Sequence, residues 1–308
     1  MPWTRRTALT SAGALALSAV ASACGADSDP FASSEESGSA GGAVVVGSQQ
    51  YYSNEIIAEL YAQALENAGI EVERQFQIGQ REVYLPELVS GSIDVLPEYG
   101  GNLLQYYDPE TTATDAESVH AELLTVLPEG LTVLDAAEAT DQDSYTVTRA
   151  SAQDNGLSSI ADLAGLGRTV TVAANSEFAS RPYGPDGLKR VYGVDARVEP
   201  VEDSGGPITV KALTDGTVDV ADIYTADPVI ETEDLVVLED PKALILPQRV
   251  TPLVASSLTT AAARAIDSVS ALLTTDELRA LNARSTGEQL DSATIATDWL
   301  TDKGILTG

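Results

Sequence analysis

The pattern Leu-x-x-Gly-x-Ile/Val-Asp-Val-x-x-x-Tyr occurs twice in this chain, from Leu88 to Tyr99 and from Leu213 to Tyr224, which points to two bodies built on one plan. In each copy the leucine ends an apolar helical stretch, the glycine can take the left-handed conformation that closes a helix, and Ile/Val-Asp-Val begins a short buried strand. Each tyrosine is then expected just past a strand's carboxyl end, the edge where open α/β sheets bind ligands. Two such edges facing each other would make a cleft with an aromatic ring on each wall. The plainer alternative is that both rings are strand-end packing.

The surrounding pattern supports two α/β units. Ala43 to Ser48 reads as a buried strand, followed by apolar residues at helical spacing from Ile56 to Ala68 that Ser53 can cap and Gly69 can end. Glu71 to Gln77 alternates as a strand, Tyr84 to Ser90 reads as a helix, and Ile93 to Leu96 as a third strand. A second β-α-β series runs from Ile160 to Ala221: helical at Ile160 to Ala164, strand at Thr169 to Ala174, largely helical from Phe178 to Tyr192, then a strand at Ala196 to Val201, helix at Val210 to Thr214 and strand at Val218 to Ala221. Two strand-like runs, Leu235 to Leu238 and Arg249 to Ala255, precede helical segments around Ala261 to Leu273, Thr275 to Ala283 and Ser292 to Lys303. An early lobe, an inserted lobe and a return to the first would place crossings near Asp141 to Ser144 and Arg249 to Pro252, the layout of a bilobal binding protein that closes on its ligand.

The first residues look like an address rather than a fold. Arg5 and Arg6 precede a weakly apolar run, Ala8 to Ala23, that ends in small residues before Cys24, the signature of a signal peptide too short and polar to span a membrane convincingly. Thr4 to Leu9 is similar to a twin-arginine export signal without its common phenylalanine, which leaves the export route open. Cys24 is the sole cysteine, so no disulfide forms within the chain. Its position resembles a lipobox, with Ala21 where leucine is usual, and implies lipidation at a new amino terminus. Gly25 to Gly42 offers almost nothing to bury and reads as a flexible tether. Cleavage before Cys24 would remove two arginines and no acid, leaving 15 basic residues against 47 acidic ones, a formal charge of −32. Such a surface excludes nucleic acid and anionic membrane surfaces as partners; it either attracts a cationic ligand or is simply well solvated.

Between the strand ending at Ala174 and the next helix lies Asn175 to Gly184, whose exposed N–H groups and Arg181 suit an anion. A guanidinium fork fits a carboxylate with two parallel hydrogen bonds, although an arginine in so acidic a chain also makes structural ion pairs. If one end of a ligand is a carboxylate, aromatic rings suit a cation that cannot donate hydrogen bonds, since the ring quadrupole attracts charge at about 0.5–2 kcal/mol per contact. Tyr145, at the first crossing, can reach such a cleft. Tyrosine supplies 11 of the 16 aromatic residues, so rings with a polar edge are favoured over plain hydrophobic ones.

Val46-Gly47-Ser48, Leu60 to Glu66, Ile78 to Val83, Gly91 to Gly101 and Glu177 to Pro182 together resemble the glycine betaine/choline/carnitine-binding proteins of osmoprotectant ABC importers. The similarity runs from about Ala43 to the carboxyl end, and Pro97-Glu98-Tyr99 and Phe178-Ala179-Ser180-Arg181-Pro182 are its most diagnostic parts. It implies a type II periplasmic-binding-protein-like fold of two α/β lobes on a two-crossing hinge. It also implies a tyrosine cage around a trimethylammonium group, with Tyr99, Tyr145 and Tyr224 as walls, Arg181 as carboxylate clamp and Gln49 as a polar contact. Relatives often carry a further cage tyrosine where this chain has Leu246 to Thr251; there Arg249 would repel a cation unless its side chain turns away, and Tyr51 or Tyr52 would compensate for the missing ring.

The expected organisation is therefore a signal peptide over residues 1–23, a lipid-anchored tether over 24–42, lobe one over 43–143, lobe two over 144–250, and a return to lobe one over 251–308. The expected role is an extracytoplasmic, monomeric solute-binding lipoprotein, held to the membrane by its lipid alone, that needs no cofactor or metal and delivers a quaternary ammonium solute to a permease and ATPase. The same fold could instead take another zwitterion or an aromatic metabolite. A secreted enzyme has little support: the only histidine, His120, lies in a polar helical stretch outside every motif, no nucleophile elbow, zinc helix or phosphate loop occurs, and acid pairs such as Asp94 with Glu98 arise by chance in so acidic a chain.

Overall fold

The computed structural model describes residues 42–306. The expected signal peptide, the lipidation site Cys24 and nearly all of the tether lie outside them. Ten strands form two sheets of five. The first contains β1 (Val44–Gly47), β2 (Val72–Gln75), β3 (Val95–Tyr99), β4 (Leu131–Val133) and β10 (Val250–Ala255). The second contains β5 (Tyr145–Thr148), β6 (Val170–Ala174), β7 (Ala196–Pro200), β8 (Val220–Asp222) and β9 (Leu235–Val237). The orders are β2-β1-β3-β10-β4 and β7-β6-β8-β5-β9. Each is a parallel β-α-β-α-β unit extended by one antiparallel strand, β10 against β3 and β5 against β8. In both lobes that fourth strand is where the chain arrives from the other lobe.

The repeated motif has one physical role in both sheets. Gly91 and Gly216 sit at φ 78° and 72°, where a side chain would be strained, and release the chain from a helix toward a strand. The following aspartate then clasps the neighbouring strand. The Val45 N–H donates to Asp94 Oδ2 at 2.8 Å while the Asp94 N–H donates to the Val45 carbonyl at 2.9 Å. The Thr171 N–H donates to Asp219 Oδ2 at 2.8 Å and the Asp219 N–H to the Thr171 carbonyl at 3.1 Å. Each motif therefore sets the register of its lobe's central pair, and each tyrosine is delivered to the same edge: Tyr99 as the last residue of β3 and Tyr224 two residues beyond β8.

The helix Tyr52–Asn67 buries Ile56, Ile57, Leu60, Tyr61 and Leu65 against the carboxyl-terminal helices Thr260–Ser270, Thr275–Glu288 and Ser292–Asp302, through Ile266, Leu281, Ile295 and Leu300. That packing returns the end of the chain to lobe one. Two local expectations change. Ser53 lies inside the first turn rather than capping it, and the stretch from Phe178 to Tyr192 breaks into a 3₁₀ turn, Ser176–Ser180, and a helix, Pro185–Tyr192. Pro182 and Pro185 lack the N–H groups a continuous helix would need. Helix Gly100–Tyr107 was not apparent from the apolar spacing; it starts against the return crossing, where a Cβ on Gly101 would lie 2.7 Å from the Pro247 carbonyl. Among the described residues no helix is long and apolar enough to cross a membrane.

Asp94→Ala and Asp219→Ala each leave a strand N–H without its partner, and each is expected to cost about 1–2 kcal/mol in urea unfolding. The two losses add in the double variant, because the aspartates share no partner.

Candidate functional site

The chain passes from lobe one to lobe two between β4 and β5 and returns between β9 and β10, and the two crossings pair with each other. Thr140 bridges Arg249 in antiparallel fashion, the Asp141 N–H donates to the Gln248 carbonyl at 3.3 Å, and the Val250 N–H donates to the Ala139 carbonyl at 2.9 Å. Directly beside this ladder, between the lobes, lies a cavity of about 30 Å³. Gln49, Tyr51, Gln80, Arg81, Tyr99 and Asn102 line it from lobe one, Asp141 and Asp143 from the first crossing, and Glu177, Arg181, Tyr183 and Tyr224 from lobe two.

The rings of the two repeated tyrosines share this space, and a third ring joins them. Tyr51, just before the helix Tyr52–Asn67, lies 6.3 Å from Tyr99 at an interplanar angle of 24° and 5.0 Å from Tyr224 at 47°. Tyr51 also lines a groove of about 960 Å³ on one side of the cleft, so its ring divides groove from cavity. A second space of about 260 Å³ borders the cavity past Arg81, Arg181 and Tyr183. The central cavity holds little more than water as it stands, so a larger solute requires the rings to separate.

The fourth ring comes from Tyr183, and this corrects one expected position. Tyr145 does not line the cavity: it is 1% exposed, its side chain belongs to the core of lobe two, and its hydroxyl donates to the Tyr183 carbonyl at 2.6 Å. Its ring meets Phe178 edge-on at 5.8 Å, and Phe178 meets Tyr183 at 5.6 Å. Tyr145 thus supports Tyr183 from behind. Arg249 is exposed, and with His120 it lines a separate cavity of about 10 Å³, so no guanidinium enters the aromatic space from that segment. Tyr52 faces the groove and donates to Asp227 Oδ2 of lobe two at 3.0 Å.

Around the rings, polar groups fall into two sets. Glu98, fully buried, accepts both arms of Arg81 at 2.8 and 2.9 Å, the Tyr84 hydroxyl at 2.5 Å and the Tyr99 N–H at 2.8 Å. That explains the Pro-Glu-Tyr motif: the glutamate holds a guanidinium in the cavity wall and orients the tyrosine after it. Asp94 is occupied at the far end of the same strand, so the two acids do not form a working pair. Arg181 donates to Glu82 Oε1 across the cleft at 2.9 Å, an ion pair between the lobes. Gln49 has its N–H held by Asn54 Oδ1 at 2.8 Å, but its side-chain Nε2, like Gln80 Nε2 and the Tyr99 hydroxyl, has no partner in the protein. Asn102 donates to Asp143 Oδ2 at 2.7 Å and exchanges hydrogen bonds with Gln248 at 2.9 Å, joining both crossings to one helix start.

Asp141 is the keystone of the hinge. Its carboxylate accepts from Ser53 Oγ at 3.1 Å and from the Ala226 N–H at 2.9 Å, and Asn282 Nδ2 donates to both Ser53 Oγ and the Ala226 carbonyl at 3.0 Å. Burial pushes its pKa up to about 7, against the two hydrogen bonds it accepts and with a further push from Asp227 and Asp143. Asp222, which accepts from the Ser144 N–H at 3.1 Å, is raised well above the usual carboxylate range by burial and by Asp143 beside it. Apart from Tyr99, Tyr224, Gln49 and Arg181, the lining residues went unnamed as site residues by sequence reasoning; Tyr51 entered only as a substitute ring, and nothing short of the crossing's pairing marks Asp141 and Asp143.

Two lobes of one topology, joined by paired crossings and meeting at an enclosed aromatic cavity, define a bilobal solute-binding protein. The chain belongs to the family described as the substrate binding domain of ABC-type glycine betaine transport systems, whose family model matches residues 42–302. It is 28% identical over 284 residues to the glycine betaine-binding protein YehZ of Escherichia coli, covering 85% of this chain and 90% of that protein. A crystal structure of a glycine betaine/carnitine/choline ABC transporter protein shares the fold with a TM-score of 0.69 at 21% identity, over 85% of this chain and 99% of that one. The structure of apo YehZ from Escherichia coli matches with a TM-score of 0.62 at 27% identity, over 86% and 99% of the two chains.

The unfolded chain releases the Asp141 proton near pH 4, whereas the folded chain keeps it to about 7. Between these values the native state binds more protons, so the stability from this group is greatest below pH 4 and is lost as pH rises to about 7, by up to roughly 1.4 kcal/mol per pH unit. Chemical denaturation from pH 4 to 8 should show that slope in the wild type and lose it in Asp141→Asn.

Proposed function

We propose that this protein captures a quaternary ammonium solute, with the chemistry of glycine betaine, proline betaine, choline or carnitine, between its lobes and delivers it to an ABC permease driven by a cytoplasmic ATPase. The observation that carries this reading is the convergence of Tyr51, Tyr99, Tyr183 and Tyr224, from both lobes, on one enclosed space. A trimethylammonium group donates no hydrogen bonds, so its burial demands surfaces that attract charge without needing donors, and phenol faces meet that demand. Several rings are needed, because each contact contributes only about 0.5–2 kcal/mol. Gln49, Gln80 and the Tyr99 hydroxyl supply polar contacts for the other end of the solute from lobe one, and Arg181 faces them from lobe two. Tyr145 acts through Tyr183.

Closure follows from the same geometry. Tyr51 and Tyr99 belong to lobe one, and Tyr183 and Tyr224 to lobe two, so a cation between them bridges the lobes. Gln50 donates to Ser204 at 3.1 Å and Tyr52 to Asp227 at 3.0 Å across the cleft, and with the pair of Arg181 and Glu82 these contacts favour the closed form that a permease would recognise. Entry requires the lobes to part and Tyr51 to leave its neighbours. Cys24, lipidated after removal of residues 1–23, would hold the protein as a monomer on the outer face of the membrane, with residues 25–42 as the tether.

Isothermal titration with a panel of methylated amines and other solutes tests the reading. Tyr99→Ala and Tyr224→Ala should each weaken binding by about 1–3 kcal/mol, through lost ring area and one cation–π contact. Unchanged affinity in both variants, or a panel in which only solutes without a quaternary nitrogen bind, would rule the aromatic site out. For the anchor, Cys24→Ala should abolish incorporation of labelled fatty acid and release the protein from the membrane fraction.

A further inference from the structure

We propose that the solute carries a net positive charge, a quaternary ammonium alcohol or ester rather than a carboxylate, and that Asp141 and Asp143 on the first crossing are its counter-ions. The inference rests on the quaternary ammonium reading and narrows it.

Charges of both signs face the cavity. Two guanidiniums line it, and both are already matched. Arg81 is held in a two-pronged pair by Glu98, and Arg181 by Glu82, and neither of these acids lines the cavity. Three further acids do line it: Asp141, Asp143 and Glu177. Asp143 accepts from Asn102 and lies beside Asp222, which burial and Asp143 raise well above the usual carboxylate range. The titratable groups that bear on Asp141 are acids and phenols, namely Asp143 on its own crossing, Tyr51 and Tyr52 at the start of the lobe-one helix, Tyr99 on β3 and Asp227 on the lobe-two loop, and its two hydrogen-bond donors, Ser53 Oγ and the Ala226 N–H, are neutral. Arg81 and Arg181 face their own carboxylates. The enclosed space is left with an excess of negative charge.

A second, independent observation points to the uncharged end of the ligand. Gln49 is 5% exposed and Tyr99 4% exposed, and the Gln49 Nε2 and the Tyr99 hydroxyl, both lining the cavity, have no protein partner; Gln80 Nε2 is in the same state. Buried amide N–H groups require an acceptor. An alcohol or ester oxygen supplies one and adds no charge. A carboxylate would supply one too, but it would stand among three acids or would have to draw Arg181 from Glu82, breaking a contact that joins the lobes. The cation, by contrast, supplies a positive charge opposite Asp141 and Asp143, whose hydrogen-bond donors in the protein are neutral. Because Asp141 attracts the cation only when ionised, a proton competes with the ligand for it. Affinity should therefore rise with pH up to neutrality, with the raised carboxyls of Glu177 and Asp222 contributing to the same trend.

Choline and glycine betaine share a trimethylammonium group and differ in an alcohol against a carboxylate, so titration calorimetry with the full chain reads the proposal directly. The wild type at pH 7.5 should bind choline at least tenfold more tightly than glycine betaine. Asp143→Asn should weaken choline at least tenfold and leave glycine betaine equal or tighter, and Asp141→Asn should flatten the rise of choline affinity between pH 5.5 and 7.5. The wild-type comparison needs no variant to fold, and circular dichroism checks those that are used. Glycine betaine binding as tightly as choline, with choline unmoved in Asp143→Asn, overturns the charge assignment and leaves the quaternary ammonium reading standing. Binding of neither ligand at millimolar concentration overturns both.

Discussion

The pairing of the two crossings is the constraint from which the site follows. Residues 139–141 and 248–250 bond to each other in antiparallel fashion, and each crossing runs on into the antiparallel fourth strand of the lobe it enters. The lobes are thereby tied at one edge through extended backbone while remaining separate sheets. Extended backbone also sorts side chains by parity. Thr140 turns to Thr275 on one side, and Asp141 and Asp143 turn to the cavity on the other. Two carboxylates are carried into the space between the lobes by the strand that defines the hinge, so the counter-ion proposed for the solute and the group that ties the lobes are one residue, Asp141.

Buried polar groups in this protein separate by how completely they are answered. Glu98 has four hydrogen bonds and an opposite charge, Asp219 has the Thr171 N–H and hydroxyl and Arg168, and Asn54 ties Gln49 to the Pro97 carbonyl. These are structural solutions to the cost of burying polarity, and they leave nothing over for a ligand. Around the cavity the accounting stays open: amide and phenol groups without partners, and acids without cations. At the cavity the contrast lies within a few residues of sequence, as between Glu98 and Tyr99.

How far the site was legible follows from where each signal resides. Tyr99 and Tyr224 were legible because a repeated helix, glycine and strand leave little freedom in where the next ring goes. Tyr145 was misplaced because a ring at a crossing was assumed to reach the cleft; the period of two along β5 sends it with Val147 into the lobe-two core. Tyr183 was hidden by the expectation of continuous helix across Pro182 and Pro185. Arg249 turned outward because its neighbours Gln248 and Val250 are buried on the inner side, an alternation that local pattern allows but does not prove.

The sequence alone determined the two-fold plan, the order of strands and helices within the two β-α-β series, and the edges at which Tyr99 and Tyr224 emerge, because these depend on periodicity and glycine conformations acting over a few residues. It also determined the acidic surface. Tertiary structure decided which rings share one space, which arginine is already paired, and which carboxylates face a cavity with no cation against them. Those outcomes depend on contacts between residues far apart in the chain, such as the 175 positions between Tyr52 and Asp227, and no local rule carries information over that distance.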